Sequence, residues 1–186
     1  MKKNSVIIVI CLAVIIGLAV FFLYQGKESA GLDSSSTVQE EVVDELSPTK
    51  IEDFTFPDTN GKACSAMSEI SQNKLTIIDF WASWCGPCMR EMPNLHALYT
   101  QFKGKGLGIL GVSLDTDKDA WLTTIQEKDM SWTNVSDLKG WNSVAARQFD
   151  ITAIPYALVV DAQGTILAGG LRGESLQLFI EEHLKE

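Results

Sequence analysis

"FWASWCGPCMREMP", residues 80–93, is the stretch from which the rest of this chain is read. It sets Cys85 and Cys88 two residues apart, at the junction of an apolar run and a helical one. Upstream, Leu75-Thr76-Ile77-Ile78-Asp79-Phe80-Trp81-Ala82 is almost continuously apolar, β-branched or aromatic, which predicts a strand covered on both faces. Downstream, Met89, Met92, Leu95, Leu98, Tyr99 and Phe102 recur at steps of three and four, which predicts a helix with one apolar side. Pro93 inside it lacks the donor its turn requires and predicts a kink.

A Cys-x-x-Cys pair by itself fits half of a zinc site, a structural bridge or a working dithiol. Zinc needs two more soft ligands, and beyond the pair only Cys64, His96 and His183 are candidates, with no second Cys-x-x-Cys. A purely structural bridge across so short a loop removes little unfolded-state entropy. A dithiol makes chemical sense at this junction. The first cysteine sits where unpaired backbone donors and the helix dipole favour a thiolate, and the second lies one turn later, within reach of the first. Cys85 is then the attacking sulfur and Cys88 the resolving one. Gly86 admits the close approach of a partner backbone, and Pro87 is pre-set for the first helical turn. Asp79 interrupts an apolar strand shortly before the cysteines, and a carboxylate buried there has raised proton affinity, the condition for acid-base work near neutral pH.

Working outward, Ile51 to Phe56 and Lys62 to Cys64 flank the turn Asp58-Thr59-Asn60-Gly61 and predict an N-terminal hairpin, with one helical turn over residues 65–71. Gly106 to Leu114 predicts another buried strand, and Asp117 caps a helix over 118–128 with Trp121, Leu122 and Ile125 inward. A short strand over 132–135, a helix ending at Phe149, a hairpin over 156–160 and 165–168, and a closing helix over 175–184 complete the chain. Helices between strands with a final hairpin imply an α/β domain over residues 51–186, a mixed sheet covered by helices on both faces. Cys64 is left over and is expected to be buried under the first hairpin, His96 lies too far along the helix to serve Cys88 as a base, and His183 carries no signal.

The first 24 residues are different. Lys2 and Lys3 precede Val6 to Leu23, apolar throughout except for Gly17, and a helix there would be roughly 27 Å long. The lysines predict a signal anchor that places everything after Tyr24 on the extracytoplasmic side of the membrane. A cleaved signal peptide would need a small-x-small site, and the nearest candidate, Glu28-Ser29-Ala30, has glutamate in a small-residue position. Cys11 falls within the apolar run and reads as one of its small apolar residues. Residues 25–50, with Ser34-Ser35-Ser36 and Glu40, Glu41, Asp44 and Glu45, predict a flexible acidic tether. Two of the 15 Lys and Arg precede Tyr24 and all 24 Asp and Glu follow it, so the exported part carries 13 against 24, a net of −11. Such a surface repels nucleic acid and anionic lipid, leaving the anchor as the predicted membrane contact.

With "DFWASWCGPC" at 79–88, Pro93 downstream and Ile154-Pro155 before a strand, residues 51–186 resemble the thioredoxin fold. That resemblance implies that Trp84 shapes the surface beside the thiolate, that Asp79 assists proton transfer to and from Cys88, and that Pro155 is a cis proline facing the pair. Trp84, Gly86, Pro87, Ile154, Pro155 and Tyr156 would then line the partner groove, Tyr156 narrowing it. Within the superfamily the chain resembles the membrane-anchored TlpA/ResA-like thiol-disulfide oxidoreductases more closely than classical small thioredoxins, through the anchor and tether, "WCGPCMREMPNL" at 84–95 and the extra segment from Asp115 to Trp141. Many members acting on cytochrome c apoproteins carry glutamate between the cysteines and asparagine in the strand; Gly86 and Asp79 depart from that pattern and weaken a dedicated cytochrome role.

"GVSLDTDKDAW" at 111–121 also resembles the peroxiredoxin-related branch, which makes peroxide reduction the alternative chemistry. By resemblance that chemistry needs a threonine three residues before a lone attacking cysteine, and Ala82 holds the place. A non-catalytic binding module is the third reading, and it would have no use for Cys85, Cys88, Trp84, Asp79 and Pro155 together. With no nucleotide loop, flavin fingerprint or metal cluster, no cofactor is implied, and re-reduction must come from another protein. The resemblance implies a membrane-embedded electron donor, disulfide-containing exported proteins as substrates and, through Gly86-Pro87, a reducing role.

Overall fold

The computed structural model describes residues 50–185. The predicted anchor over 1–24 and the tether up to residue 49 lie outside the described residues; among those described, no helix is long and apolar enough to cross a membrane.

Strands β1 (Thr55–Pro57) and β2 (Ala63–Ser65) form the antiparallel N-terminal hairpin, followed by the short helix α1 (Ala66–Ile70). Ser65 caps α1 through its side chain, which accepts from Ser68 N. Then come β3 (Leu75–Trp81), α2 (Gly86–Phe102), β4 (Leu107–Ser113), α3 (Lys118–Glu127), β5 (Thr133–Val135), α4 (Val144–Gln148), β6 (Tyr156–Asp161), β7 (Ile166–Gly169) and α5 (Gly173–His183). Helix α2 is continuous through Pro93, and Asp117 caps α3 by accepting from Asp119 N and Ala120 N. The five-stranded sheet has the order β5-β4-β3-β6-β7, with β3, β4 and β5 parallel and β6 and β7 antiparallel to their neighbours. This is a thioredoxin-like mixed α/β sheet.

Every residue of β3 and β4 is buried, as two central strands covered on both faces must be. Each fully buried side chain of the size of Ile77, Ile78 or Leu110 contributes about 1.5–3 kcal/mol. That apolar surround keeps Thr76 and Asp79, the polar interruptions of β3, out of water. Aromatic contacts fix the N-terminal hairpin to the sheet: Phe149 lies edge-on to Phe54 at 6.4 Å and to Phe80 at 6.0 Å.

The register gathers several segments at one end of the sheet. Phe80 pairs with Tyr156 across the antiparallel β3–β6 ladder, so the start of β6, with Ile154 and Pro155 before it, lies beside the end of β3. Trp81 pairs with Ser113, and Val112 with Val135, so the segments leaving β4 and β5 emerge at the same end. The loop leaving β3 carries Cys85.

Candidate active site

Cys85 and Cys88 are joined as a disulfide, with their Cα atoms 5.2 Å apart. Cys85 is the N-cap of α2: its own N–H donates to Ala82 O at 3.0 Å, while Cys88 N donates to Cys85 Sγ at 3.1 Å. The sulfur thus takes the place of a capping oxygen, and a donor at a helix N-terminus facing sulfur stabilises a thiolate there once the bond is reduced. Pro87 stands at the start of the helix, where its missing donor costs nothing. The mouth is tighter than the sequence suggests. Cys85 retains 4% of its surface and Cys88 none, because the sulfur is tucked over the helix end as its cap. Gly86 and Pro87 are exposed, and Arg90 Nη1 would lie 3.7 Å from a Cβ on Gly86.

Asp79 sits in the middle of β3, 2% exposed, and its Oδ2 has no hydrogen-bond partner. Burial, and secondarily the negative charge of Glu91, push its carboxyl up to about 7. Glu91, on the first turns of α2, is held by Gly173 N, which donates to Oε1 at 2.7 Å, and by Asn94 Nδ2, which donates to Oε2 at 3.3 Å. The residue pattern offered no sign of Glu91, since a glutamate on a half-exposed helix face normally meets only water.

Asp115 is a second buried carboxylate with a different environment. It accepts from Ser83 Oγ at 2.6 Å, Ser83 N at 3.0 Å and Ser113 Oγ at 2.7 Å. These bonds tie the loop that leads to Cys85 to the end of β4. One carboxylate is fully satisfied and positions backbone; the other is left short of donors and holds a proton near neutral pH.

The Ile154–Pro155 peptide bond is cis, as the resemblance implied, and Pro155 is buried with Ile154 half-buried beside it. Tyr156 is half-buried, its ring against Gly169 and Gly170, with Oη 2.9 Å from where a Cβ on Gly169 would stand. Trp84 is exposed and in contact with Trp141, a residue not singled out in the sequence. Cys64 is half-buried, and burial, aided by Glu69 and Asp58, pushes its thiol up to about 11, which keeps it a poor nucleophile. The His96 ring lies tilted against Trp132, centroids 5.0 Å apart, and its Nε2 meets Lys128 O at 2.7 Å. Clefts of about 520 and 570 Å³ are lined by residues such as Lys118, Trp121 and Leu138, and Arg147, Phe149 and Ile166; neither reaches the cysteines.

Residues 48–168 match the model of the AhpC/TSA family. The chain belongs to the AhpC/TSA family. Within this family it is similar over its whole length to the thiol-disulfide oxidoreductase ResA of Bacillus thuringiensis subsp. konkukian, at 28% identity over 189 residues, covering 100% of this chain and 98% of that protein. Among solved structures, a thiol-disulfide oxidoreductase from Bacteroides fragilis is 33% identical with a TM-score of 0.68, covering 72% of this chain and 98% of that one. The thioredoxin domain of a thiol-disulfide oxidoreductase from Bacteroides vulgatus is 30% identical with a TM-score of 0.68, over 74% and 97% of the two chains. With its Cys85–Cys88 pair at a helix N-terminus, this member of the AhpC/TSA family is a thiol-disulfide oxidoreductase.

Proposed function

We propose that the chain is an extracytoplasmic reductase of disulfides in exported proteins, held at the membrane by residues 1–24 through the tether 25–50. The observation that carries the chemistry is the Cys88 N–H aimed at Cys85 Sγ at the start of α2, with Asp79 buried in the adjoining strand. In the reduced protein the Cys85 thiolate attacks a partner disulfide, forming one S–S bond while the partner's second sulfur leaves as thiolate. Cys88 then attacks Cys85 Sγ, releasing the partner's other sulfur, so two electrons pass to the partner and the Cys85–Cys88 bond forms. Asp79 takes up the Cys88 proton in the second step, for which a carboxyl near 7 is suited. Trp84, Gly86, Pro87, Ile154, Pro155 and Tyr156 form the surface that the partner meets. A membrane-embedded donor protein re-reduces the pair, and the tether keeps the domain close to that donor by raising its effective concentration.

Family membership also raises peroxide as a substrate. Against it stand Ala82, which has no hydroxyl to place on a peroxide, and the pairing of Cys85 with Cys88 in a short-loop disulfide. Peroxide consumption by the reduced chain, set beside insulin disulfide reduction, separates the two chemistries. Equal insulin reduction by the wild type and a Cys85→Ser, Cys88→Ser double variant would leave only a binding module.

The deciding measurement is the potential of the Cys85–Cys88 couple against glutathione or dithiothreitol buffers. A reducing couple is expected, nearer about −270 mV than about −120 mV, because a buried Asp79 disfavours a second buried negative charge and so holds back the thiolate form. A value above about −180 mV would place the protein with isomerases or oxidants and end the reductase assignment.

A further inference from the structure

Trp84 and Trp141 come from distant parts of the chain and meet beside the disulfide, ring centroids 6.2 Å apart and planes inclined at 54°. Both remain exposed, at 57% and 45%. Side chains of this size are usually well covered, and exposed tryptophans are enriched where proteins grip a partner. Trp84 directly precedes Cys85, so the pair stands at the rim of the reacting sulfur.

The support under Trp141 is rigid. Leu138 and Gly140 both take positive φ, 53° and 57°. Ser136 Oγ accepts from Leu138 N at 3.1 Å and donates to Ser113 O at 3.0 Å, while the Asp137 carboxylate accepts from Lys139 N and Val144 N at 3.2 Å each. A Cβ on Gly140 would come 3.1 Å from Thr116 Cγ2, so the loop is seated on the segment that follows β4. Trp141 is therefore held from the end of the sheet that carries Cys85, and little freedom remains for a partner to quench.

We propose that Trp141 and Trp84 form an aromatic clip that selects partner disulfides by the residue next to the partner's cysteine. The occupant is an extended polypeptide segment with an aromatic or branched apolar side chain in that position. A mixed disulfide sets the partner cysteine's Cα about 4.4–6.8 Å from that of Cys85. The neighbouring Cα is only about 3.8 Å further along, which brings its side chain to the tryptophan immediately before Cys85. Cys85 is itself nearly buried, at 4%, so a partner first meets the side chains that stand out beside it, and these two rings do. The proposal rests on Cys85 being the attacking sulfur.

The test uses the reduced full chain with three substrates: two short peptide disulfides that differ only in Phe or Ser beside the cysteine, and oxidised glutathione. Released thiol is followed by chromatography, so that loss of a tryptophan does not alter the signal. Wild type is expected to favour the Phe peptide about tenfold, Trp141→Ala to bring the two peptides within about twofold, and Trp141→Phe to retain most of the preference. Glutathione rates should stay within about twofold across all three proteins. The clip is overturned if Trp141→Ala keeps the preference, if it slows all three substrates equally, or if wild type shows no preference while reducing glutathione normally. Wild type inert toward every substrate would instead remove the reductase reading on which the clip rests.

Discussion

Ser83 donates to Asp115 through both its hydroxyl, at 2.6 Å, and its backbone N–H, at 3.0 Å, joining the loop before Cys85 to the segment after β4. Asp115 is buried and Ser83 half-buried, and the carboxylate takes a third donor from Ser113. Asp115→Asn replaces one acceptor oxygen by a donor facing donors already in place. A loss of about 1–3 kcal/mol in urea unfolding is expected, with Ser83→Ala costing about 1 kcal/mol. An unchanged unfolding midpoint for Asp115→Asn would show that the link contributes nothing to holding the loop.

Asp79 makes stability depend on pH with a definite sign. Its carboxyl titrates near 7 in the folded chain and near 3.8 in the unfolded one, so between those values the folded protein binds the extra proton. That stabilisation is fully present below about 4 and is lost as pH rises through about 7, a change on the order of a few kcal/mol. Asp79→Asn should flatten the profile of unfolding free energy from pH 4 to pH 8, and Glu91→Gln should move the titration to lower pH. Parallel profiles for wild type and Asp79→Asn would show that the carboxyl ionises normally.

If Cys85 attacks and Cys88 resolves, then Cys88→Ala stalls the reaction at the mixed disulfide. Partners linked through Cys85 should accumulate in that variant and be absent from Cys85→Ala. Peptide mass mapping decides it, and partners captured on Cys88 would reverse the roles.

Gly111 faces Asp79 across the β3–β4 ladder, and a Cβ on it would collide with Asn134 Oδ1 and stand 3.1 Å from Trp81 Nε1. Neither neighbour is at the end of a flexible chain, so Gly111→Ala should lose about 1–3 kcal/mol in denaturant unfolding. Wild-type stability in that variant would mean that β5 can shift to make room.

Much of this was legible from residues alone because its causes are local. The apolar run from Leu75 to Trp81, the three-and-four spacing from Met89 to Phe102 and the Asp117 cap each act over a few residues, and the strands and helices follow them closely. The placement of Cys85 at a helix start and the burial of Asp79 follow from the same periodicity. What the tertiary structure alone decided are the pairings across the sheet: Ser83 with Asp115, Trp84 with Trp141, and Glu91 near enough to act on Asp79. None leaves a periodic trace, because each joins two segments through the parallel register of β3, β4 and β5 or the packing of α2, where contacts depend on how strands align and not on what stands nearby in the chain. Cys85 shows the same limit: its residue type marks the chemistry, but how little of its surface stays open was set by the helix end folding over its sulfur.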